Sequence, residues 1–223
     1  MKKKIGAMTI GQSPRWDVAE EFLRAVGKEV ELLQCGALDD LSKQEIEKLQ
    51  PTSGESLLVT RLRDGTEVKI AEKHIHARMK QCVSNLLDQG AEFLVLFCTG
   101  EFPELEGNTI IIKPDVLMEK VVPAILKKGL LGAVLPSAEQ IPLLGAKWEK
   151  TGLQVELAAV SPYTGTEKDF QRVAYSLAEK KVDLVVLDCI GFTEKIKQVF
   201  QNILRCPVVL PRTLLGRIVG ELV

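Results

Sequence analysis

Short apolar runs alternate with helix-like stretches along most of this 223-residue chain, and this alternation restricts the fold more than any other feature. Strands that alternate with helices form parallel sheets whose two faces are covered by the helices. The runs predicted as strands are residues 5–10, 30–34, 93–97, 109–112, 131–135, 153–160, 183–187 and 207–210. The stretches predicted as helices are residues 14–27, 42–49, 72–89, 115–128, 137–150, 166–180, 193–204 and 212–222. We therefore predict an α/β protein.

One segment departs from this rhythm. Residues 56–63 and 66–70 alternate in polarity on either side of Asp64-Gly65, a dipeptide typical of tight hairpin turns. This pattern predicts a β-hairpin inserted into the first half of the parallel framework. The sequence leaves its role open between a dimer contact, a lid over a site, and neither.

Local signals also mark where two helices begin. Ser13 is positioned to cap the first helix, with Pro14 in its first turn. Ser42 and Glu45 have the spacing of a capping box at the start of the second helix.

The same phrase occurs twice, as LVLFCTGEF at residues 94–102 and VVLDCIGFT at residues 185–193. In each copy an apolar strand ends at a cysteine, Cys98 or Cys189, which is followed two residues later by glycine. Ligands of open parallel sheets bind at the carboxyl ends of strands. The duplication therefore predicts two similar α/β halves, each presenting one cysteine at a binding site.

Two cysteines that face one another could exchange protons with a substrate. A free thiol has a pKa near 8.5, and a helix N-terminus contributes about 0.3–1 kcal/mol, which lowers that pKa by roughly one unit or less. A thiol near neutrality suits general acid–base catalysis, as in racemases and epimerases that use no cofactor. The competing interpretation is that both cysteines simply fill the core. Asp188 either raises the pKa of Cys189 or points to the opposite face of its strand and binds a neighbouring loop.

Composition limits the classes of partner. The chain has 29 Lys and Arg against 30 Asp and Glu, a net charge of −1, which argues against nucleic acid or an anionic membrane as a main partner. The apolar run near the N-terminus is too short for a signal peptide, and no run approaches the roughly 18 residues that cross a bilayer. We expect a cytoplasmic protein.

The chain has five cysteines, an odd number, and no Cys-x-x-Cys pair. This pattern predicts reduced thiols rather than a disulfide framework, and it argues against structural zinc. Cys35, followed by Gly36, is a weaker candidate for the site, whereas Cys82 and Cys206 are predicted to be packing residues. His74 and His76 are two residues apart and do not share a helix face, so they are expected on the surface and not in a metal site.

The whole chain resembles the AroM family, within the broader aspartate/glutamate racemase-like superfamily. The resemblance is carried by TIGQSPR at residues 9–15, FCTGEF at 97–102, TIIIKPDVLMEKVVPAILKKGLLGAVLPSAEQ at 109–140 and LDCIGF at 187–192. It implies two pseudo-symmetric parallel-sheet lobes with a cleft between them and a C-terminal helix that returns to the first lobe. The predicted lobes are residues 1–107 with 207–223, and residues 108–206.

The resemblance also implies a site. One catalytic cysteine comes from each lobe, which matches Cys98 and Cys189. The substrate-binding residues it implies are Thr9, Gly11, Gln12, Ser13 and Arg15 after the first strand, Thr99, Gly100, Ile190 and Gly191 beside the cysteines, and Pro136, Ser137, Tyr163 and Thr164 in other loops. Amino-acid racemases of this group have threonine where this chain has Ile190, and Cys189-Ile190-Gly191 is closer to the pattern of hydantoin racemases.

Three functions remain open. The first is a racemase or isomerase without cofactor or metal, which uses both cysteines at a carbon next to a carboxylate or carbonyl of a small molecule. The second is a decarboxylase or isomerase that uses a single cysteine. The third is a small-molecule-binding or regulatory protein that has kept the cleft without the chemistry. A homodimer is compatible with all three.

Overall fold

A computed structural model describes residues 2–102, 105 and 107–223 of the protein. The strands are β1 Lys3–Thr9, β2 Val30–Gly36, β3 Leu57–Arg61, β4 Glu67–Ala71, β5 Phe93–Leu96, β6 Ile111–Ile112, β7 Leu130–Leu135, β8 Gln154–Ala159, β9 Leu184–Leu187 and β10 Val208–Val209. The helices are α1 Trp16–Val26, α2 Lys43–Glu47, α3 His76–Asp88, α4 Pro114–Ile125, α5 Ile141–Glu149, α6 Glu167–Glu179, α7 Glu194–Ile203 and α8 Pro211–Leu222.

The strands form two parallel sheets, which confirms the predicted α/β class with one sheet in each lobe. The first sheet has the order β2-β1-β5-β6, and the second has the order β10-β9-β7-β8. The two strands that lead to the repeated cysteines, β5 and β9, are therefore inner strands with a neighbour on each side. Their residues are all buried, as expected for strands covered by helices on both faces.

The chain passes from one sheet to the other at positions that differ from the predicted lobe boundaries. Ile111 and Ile112 pair with β5 in the first sheet, so the chain leaves that sheet after residue 112 and not at 107. Val208 and Val209 pair with β9, so β10 belongs to the second sheet, whereas the sequence predicts residues 207–223 in the first lobe. Only α8 returns to the first lobe, where Leu215 and Val219 pack with Phe22 of α1.

The inserted hairpin is present where it was predicted. β3 and β4 pair in antiparallel fashion from Leu57↔Ala71 to Arg61↔Glu67 and form a separate two-stranded sheet. The hairpin is anchored to the first lobe through its backbone: the N–H of Ala71 donates to the carbonyl of Leu49 at 2.8 Å, and the N–H of Gln12 donates to the carbonyl of Arg61 at 3.4 Å.

Of the two predicted helix starts, one is confirmed and one is wrong. Ser42 and Glu45 form the complete capping box of α2. However, α1 begins at Trp16, because the carboxylate of Asp39 accepts hydrogen bonds from both the N–H and the hydroxyl of Ser13 at 2.6 Å. Ser13 is thus bound to the β2–α2 connection and is not available as a cap.

The prediction that all five thiols are reduced is also wrong. Cys35 on β2 and Cys82 on α3 form a disulfide with their Cα atoms 5.5 Å apart. The bridge holds Cys35 against α3, away from the candidate site at the strand ends. Cys98, Cys189 and Cys206 are free, and Cys206 is half-buried.

Neither a membrane span nor a metal cluster is found in the described part of the chain. No helix there is both long and apolar enough to cross a bilayer. Among the same residues, no three His, Cys, Asp or Glu side chains come together to hold a metal ion. His74 and His76 are half-buried rather than exposed, and the Nε2 atom of His76 lies 3.0 Å from Glu72.

The close contact between α1 and α8 depends on Gly216. A Cβ atom at this position would lie 2.6 Å from the carbonyl oxygen of Phe22 and 2.7 Å from the Cβ atom of Ala25. We expect Gly216→Val to lower the free energy of unfolding by about 1–3 kcal/mol, measured by urea denaturation, because the helices must separate to admit the side chain. Arg217→Ala on the exposed face is the control and should change it by less than about 0.5 kcal/mol. A variant as stable as the control would contradict this packing.

Candidate active site

The two repeated phrases meet at one small cavity. Cys98 follows β5, Cys189 follows β9, and both line the same enclosed space between the lobes. Six of the other predicted site residues also line it: Arg15, Thr99, Gly100, Pro136, Tyr163 and Ile190. The cavity measures about 20 Å³ for water-sized spheres, which is room for about one water. The site is therefore closed in this structure.

Each cysteine accepts a hydrogen bond from its own loop. The backbone N–H of Gly100 donates to Cys98 Sγ at 3.3 Å, and the backbone N–H of Gly191 donates to Cys189 Sγ at 3.4 Å. A donor aimed at sulfur stabilises the thiolate more than the thiol. The Cys-x-Gly phrase is thus repeated because it builds the same sulfur environment twice.

Burial nevertheless outweighs these hydrogen bonds. Cys98 is 8% exposed and Cys189 is 5% exposed. Burial raises the pKa of Cys98 to about 12 and the pKa of Cys189 to about 11, with the glycine N–H groups opposing the shift in both cases. The expectation of thiol pKa values near neutrality is therefore wrong for the closed site. A helix N-terminus lowers a thiol pKa only slightly, whereas the loss of water around the buried sulfur raises it more.

Cys189 has a more polar environment than Cys98. After burial and the Gly191 N–H, the positive charge of Arg15 lowers the pKa of Cys189, the charge of Asp188 raises it, and a hydrogen bond from Tyr163 lowers it. Arg15 Nη2 donates to the Tyr163 hydroxyl at 3.3 Å, and the guanidinium lies 5.7 Å from the centre of the Tyr163 ring. Asp17 accepts two hydrogen bonds from Arg15 at 2.8 Å and balances its charge.

Glycine at position 191 is required by Tyr163. A Cβ atom at Gly191 would lie 2.5 Å from the Tyr163 ring and hydroxyl, closer than real contacts allow. The absence of a side chain thus permits Tyr163 to lie over the Cys189 loop. This is a packing reason for the second glycine, in addition to the N–H that it donates to sulfur.

The remaining predicted residues lie outside the cavity wall and hold its loops. The Thr9 hydroxyl accepts from the N–H of Gly11 at 3.3 Å and from Arg15 Nη1 at 3.5 Å. The Gln12 side chain binds the carbonyls of Leu38 and Leu41, and Ser13 binds Asp39 as described above. Ser137 caps the short turn before α5, and the backbone N–H of Thr164 donates to Ser161.

A buried cluster behind the cysteines was not predicted from the sequence. Lys147 on α5 donates to the carbonyl of Thr99 at 3.2 Å and to the carboxylate of Asp188 at 3.3 Å. Trp148 Nε1 donates to the same carboxylate at 2.7 Å, and the Thr99 hydroxyl donates to the Asp188 carbonyl at 3.2 Å. Asp188 combines features of both interpretations: its charge raises the pKa of Cys189, while its carboxylate binds Lys147 and Trp148 on a helix and not a neighbouring loop. A lysine within the apolar face of α5 was the signal available in the sequence.

Arg212 was also missed. It is fully buried at the start of α8, and its Nε and Nη2 atoms donate to the carbonyl of Ile190 at 3.0 and 2.7 Å. Its Nη1 atom donates to the carbonyl of Asp17 at 2.7 Å and to Glu21 at 3.2 Å. One side chain thus joins the Cys189 loop to α1.

The hairpin covers the cavity. Leu58, Val59 and Thr60 of β3 line the enclosed space. Side chains join the hairpin to the second lobe: Gln140 Nε2 donates to the carbonyl of Leu57 at 3.2 Å, Lys69 pairs with Glu139 at 2.9 Å, and the Ser161 hydroxyl donates to Glu67. Of the interpretations left open by the sequence, this geometry favours a lid.

Solved structures with the same fold include racemases and an isomerase. The maleate isomerase from Pseudomonas putida S16 matches with a TM-score of 0.64 and 13% identity, over 100% of this chain and 93% of that one. The allantoin racemase from Klebsiella pneumoniae gives 0.63 and 14%, over 99% and 87%. The glutamate racemase from Aquifex pyrophilus gives 0.61 and 16%, over 99% and 84%. These likenesses show that the chain shares its fold with these proteins over nearly its whole length.

The chain belongs to the AroM protein family, whose model matches residues 5–223. The resemblance noted in the sequence is thereby confirmed over almost the whole chain. A search of curated proteins gives no match.

The buried Lys147–Asp188 pair can be tested by a double-mutant cycle. We expect Lys147→Met alone to lower the free energy of unfolding by about 3–5 kcal/mol, because Asp188 keeps a buried charge without its cation. Adding Asp188→Asn should restore part of this loss, with a coupling energy of about 0.5–3 kcal/mol. Urea denaturation measures both, and Lys150→Ala on the exposed face of the same helix region is the control. Additive effects would contradict a direct pairing.

The raised thiol pKa values can be tested by alkylation. We expect iodoacetamide to modify Cys98 and Cys189 about tenfold faster for each unit of pH between 7 and 10, because the thiolate fraction grows tenfold per unit below the pKa. Peptide mapping by mass spectrometry assigns the rate to each cysteine. In the urea-unfolded chain the rates should level off near pH 8.5. Alkylation rates that level off near pH 8 in the folded protein would mean a thiol pKa near 8 and would contradict the raised values.

Proposed function

We propose that this protein is an isomerase of the racemase or epimerase type that moves a proton at a carbon next to a carboxylate or carbonyl of a small molecule. The observation that carries the proposal is the matched pair of cysteines. They come from equivalent strand ends of the two sheets, line one cavity, and each accepts an N–H from the glycine two residues on. The names of the proteins that share the fold, racemases and a maleate isomerase, support this class.

The reaction needs one thiolate and one thiol. The thiolate takes the proton from the reacting carbon, and the thiol on the other side gives its proton to the opposite face of that carbon. One C–H bond breaks, one C–H bond forms, and the two sulfurs exchange protonation states. Both groups belong to the protein, so the scheme uses no cofactor.

Cys189 is the better first base. Burial raises the pKa of both thiols, and the guanidinium of Arg15 and the hydroxyl of Tyr163 oppose this shift at Cys189. We therefore assign initial proton abstraction to Cys189 and proton donation to Cys98.

Arg15 is the group best placed for a substrate carboxylate. It is buried, lines the cavity and keeps a weakly used donor, since Nη1 reaches Thr9 only at 3.5 Å. A carboxylate bound there would lie next to Tyr163 and Cys189. Proximity of this kind orients the acidic C–H bond toward the sulfur that abstracts its proton.

The unequal surroundings of the two sulfurs support a second candidate. A decarboxylase or isomerase with one essential cysteine would use Cys189, beside Arg15 and Tyr163, and would keep Cys98 as a packing residue. The third possibility, a binding protein without chemistry, agrees with the raised thiol pKa values of the closed site.

Solvent-deuterium exchange separates these functions. The full chain is incubated in D₂O with single enantiomers of aspartate, glutamate and 5-substituted hydantoins, and separately with maleate, and followed by NMR. We expect exchange or isomerisation of at least one compound, and a loss of at least about 100-fold in both Cys98→Ala and Cys189→Ala, because each removes an acid–base group.

Cys206→Ala is the matched control, since Cys206 is half-buried and lies outside the cavity. Loss of activity in Cys189→Ala alone would favour the single-cysteine enzyme. Full activity in both variants would refute cysteine catalysis. Binding of a probe without exchange in the wild type would favour the binding protein.

A further inference from the structure

The disulfide closes a covalent loop that contains the hairpin. It joins Cys35 near the end of β2 to Cys82 in the middle of α3, 47 positions along the sequence, with their Cα atoms 5.5 Å apart. The segment between the two cysteines includes α2 and both strands of the hairpin, β3 and β4. A cross-link reduces the number of conformations open to the segment that it closes. The bridge therefore ties together the two ends of the segment that covers the cavity.

The residues on either side of Cys35 hold the loop that carries Arg15. The side-chain oxygen of Gln34 accepts a hydrogen bond from the backbone N–H of Arg15 at 2.8 Å. Gly36 lies so close to this loop that a Cβ atom there would be 2.6 Å from the backbone nitrogen of Ser13. Because Arg15 lines the cavity, a movement of Cys35 would be transmitted to the cavity wall.

Asp39 joins the same part of the chain to the turn of the hairpin. Besides binding Ser13, its carboxylate accepts hydrogen bonds from the N–H of Gly36 at 2.8 Å and from Nη2 of Arg63 at 3.3 Å. Nε of Arg63, in the turn after β3, also donates to the carbonyl of Ser13 at 2.6 Å. The position of the hairpin over the cavity thus depends on the segment that the bridge fixes.

Small molecules can reach the bridge from a surface cleft. Both cysteines line this cleft, which has a volume of about 620 Å³ and also contacts His74 and Arg78. Cys35 is half-buried, whereas Cys82 is only 2% exposed. Disulfides that reagents can reach are the ones that exchange with thiols, whereas shielded bridges resist reduction. We expect an attacking thiol to reach the sulfur of Cys35 first.

Contacts that do not involve sulfur keep the protein folded when the bridge is open. Nη1 of Arg78 on α3 donates to the carbonyl of Ala37 at 3.2 Å and to Asp40 at 2.7 Å. Met79 and Leu86 of the same helix are fully buried in the core of the first lobe. Reduction should therefore change the mobility of the hairpin and leave the fold in place.

We propose that the Cys35–Cys82 bridge is an exchange site for small-molecule thiols, and that its reduction loosens the hairpin over the cavity. A thiolate attacks Cys35 Sγ, forms a mixed disulfide with it and releases Cys82 as a thiolate. A second small thiol attacks the outer sulfur of the mixed disulfide and releases Cys35. In total two small thiols become one disulfide, and the bridge gains two electrons and two protons as two thiol groups. The inference rests on the proposed function only for the reaction that the opened cavity then carries out.

The exchange site is tested with glutathione as the small thiol. Peptide mapping of the full chain, purified without reductant, should find Cys35 bound to Cys82. About 5 mM glutathione should reduce this bridge in the folded protein at a rate within about tenfold of the rate in urea, because the sulfur of Cys35 borders the cleft. A shielded bridge would instead be reduced only as fast as the chain unfolds, at least about a thousandfold more slowly.

The effect on the hairpin is measured after glutathione has been removed. Iodoacetamide should modify Cys98 and Cys189 at least about fivefold faster in the reduced protein than in the bridged one, because local opening admits the reagent. Cys206 lies outside the cavity, so it is the internal reference and should react equally fast in both states. Deuterium uptake, followed by mass spectrometry, should rise in β3 and β4 and stay unchanged in α6.

Substitutions assign the response to the bridge. The double variant Cys35→Ser, Cys82→Ser cannot form it, so this protein should show the fast alkylation of Cys98 and Cys189 with or without glutathione treatment. Cys206→Ser is the matched control and should keep the difference between the reduced and the bridged state.

The outcomes separate this inference from the proposed function. Absence of the bridge in the purified chain, or reduction that requires urea, would overturn the exchange site. Equal alkylation of Cys98 and Cys189 in the two states, or an equal acceleration at Cys206, would overturn the link to the hairpin. None of these readouts uses turnover, so an isomerase can stand without the exchange site. If the thiol response is found and no substrate is converted by either state, the exchange site stands and the isomerase is refuted.

Discussion

The geometry of the site depends on the buried ion pair between Lys147 and Asp188. The lysine reaches the Thr99 carbonyl in the first cysteine loop and the Asp188 carboxylate beside the second, so one ammonium group sets the separation of the two loops. A buried pair gives little net stability, because desolvation offsets most of the attraction, but removing one partner is expensive. We infer that this pair contributes position rather than stability, since its partners flank the residues that would exchange protons.

Arg212 also holds the Cys189 loop in position, from the side opposite to Lys147. It binds the Ile190 carbonyl next to Cys189 and also binds Asp17, which in turn holds Arg15. Apolar packing reinforces this joint, because Ile190 of the second lobe lies in the same cluster as Phe97 of the first. The Cys189 loop is therefore held by α5 on one side and by α8 and α1 on the other, and a proton donor on such a loop keeps a defined direction.

The sequence predicted what local patterns encode. Strand periodicity located β1 to β10 within a few residues, Asp64-Gly65 located the hairpin, and the duplicated phrase located the two cysteines of the cavity. It did not predict the contacts that form only on folding. Lys147 meets Asp188 across 41 residues, and Cys35 meets Cys82 across 47, and no local pattern pairs either residue with its partner. Ser13 failed as a cap because Asp39 competes for it, and the thiol pKa values were misjudged because burial is a tertiary property.

The closed cavity and the raised thiol pKa values bear on whether Cys189 loses its proton before or after the hairpin closes. The hairpin is anchored to the first lobe by backbone hydrogen bonds, whereas side chains make its contacts with the second lobe. These contacts include the exposed Lys69–Glu139 ion pair, worth about 0–1 kcal/mol, and the neutral hydrogen bond from Gln140 to Leu57, worth about 0.5–1.5 kcal/mol. Burial raises the pKa of both thiols, so a thiolate forms more readily when water reaches the sulfur. We infer that ionisation precedes closure, and that the hairpin then seals a thiolate together with its substrate.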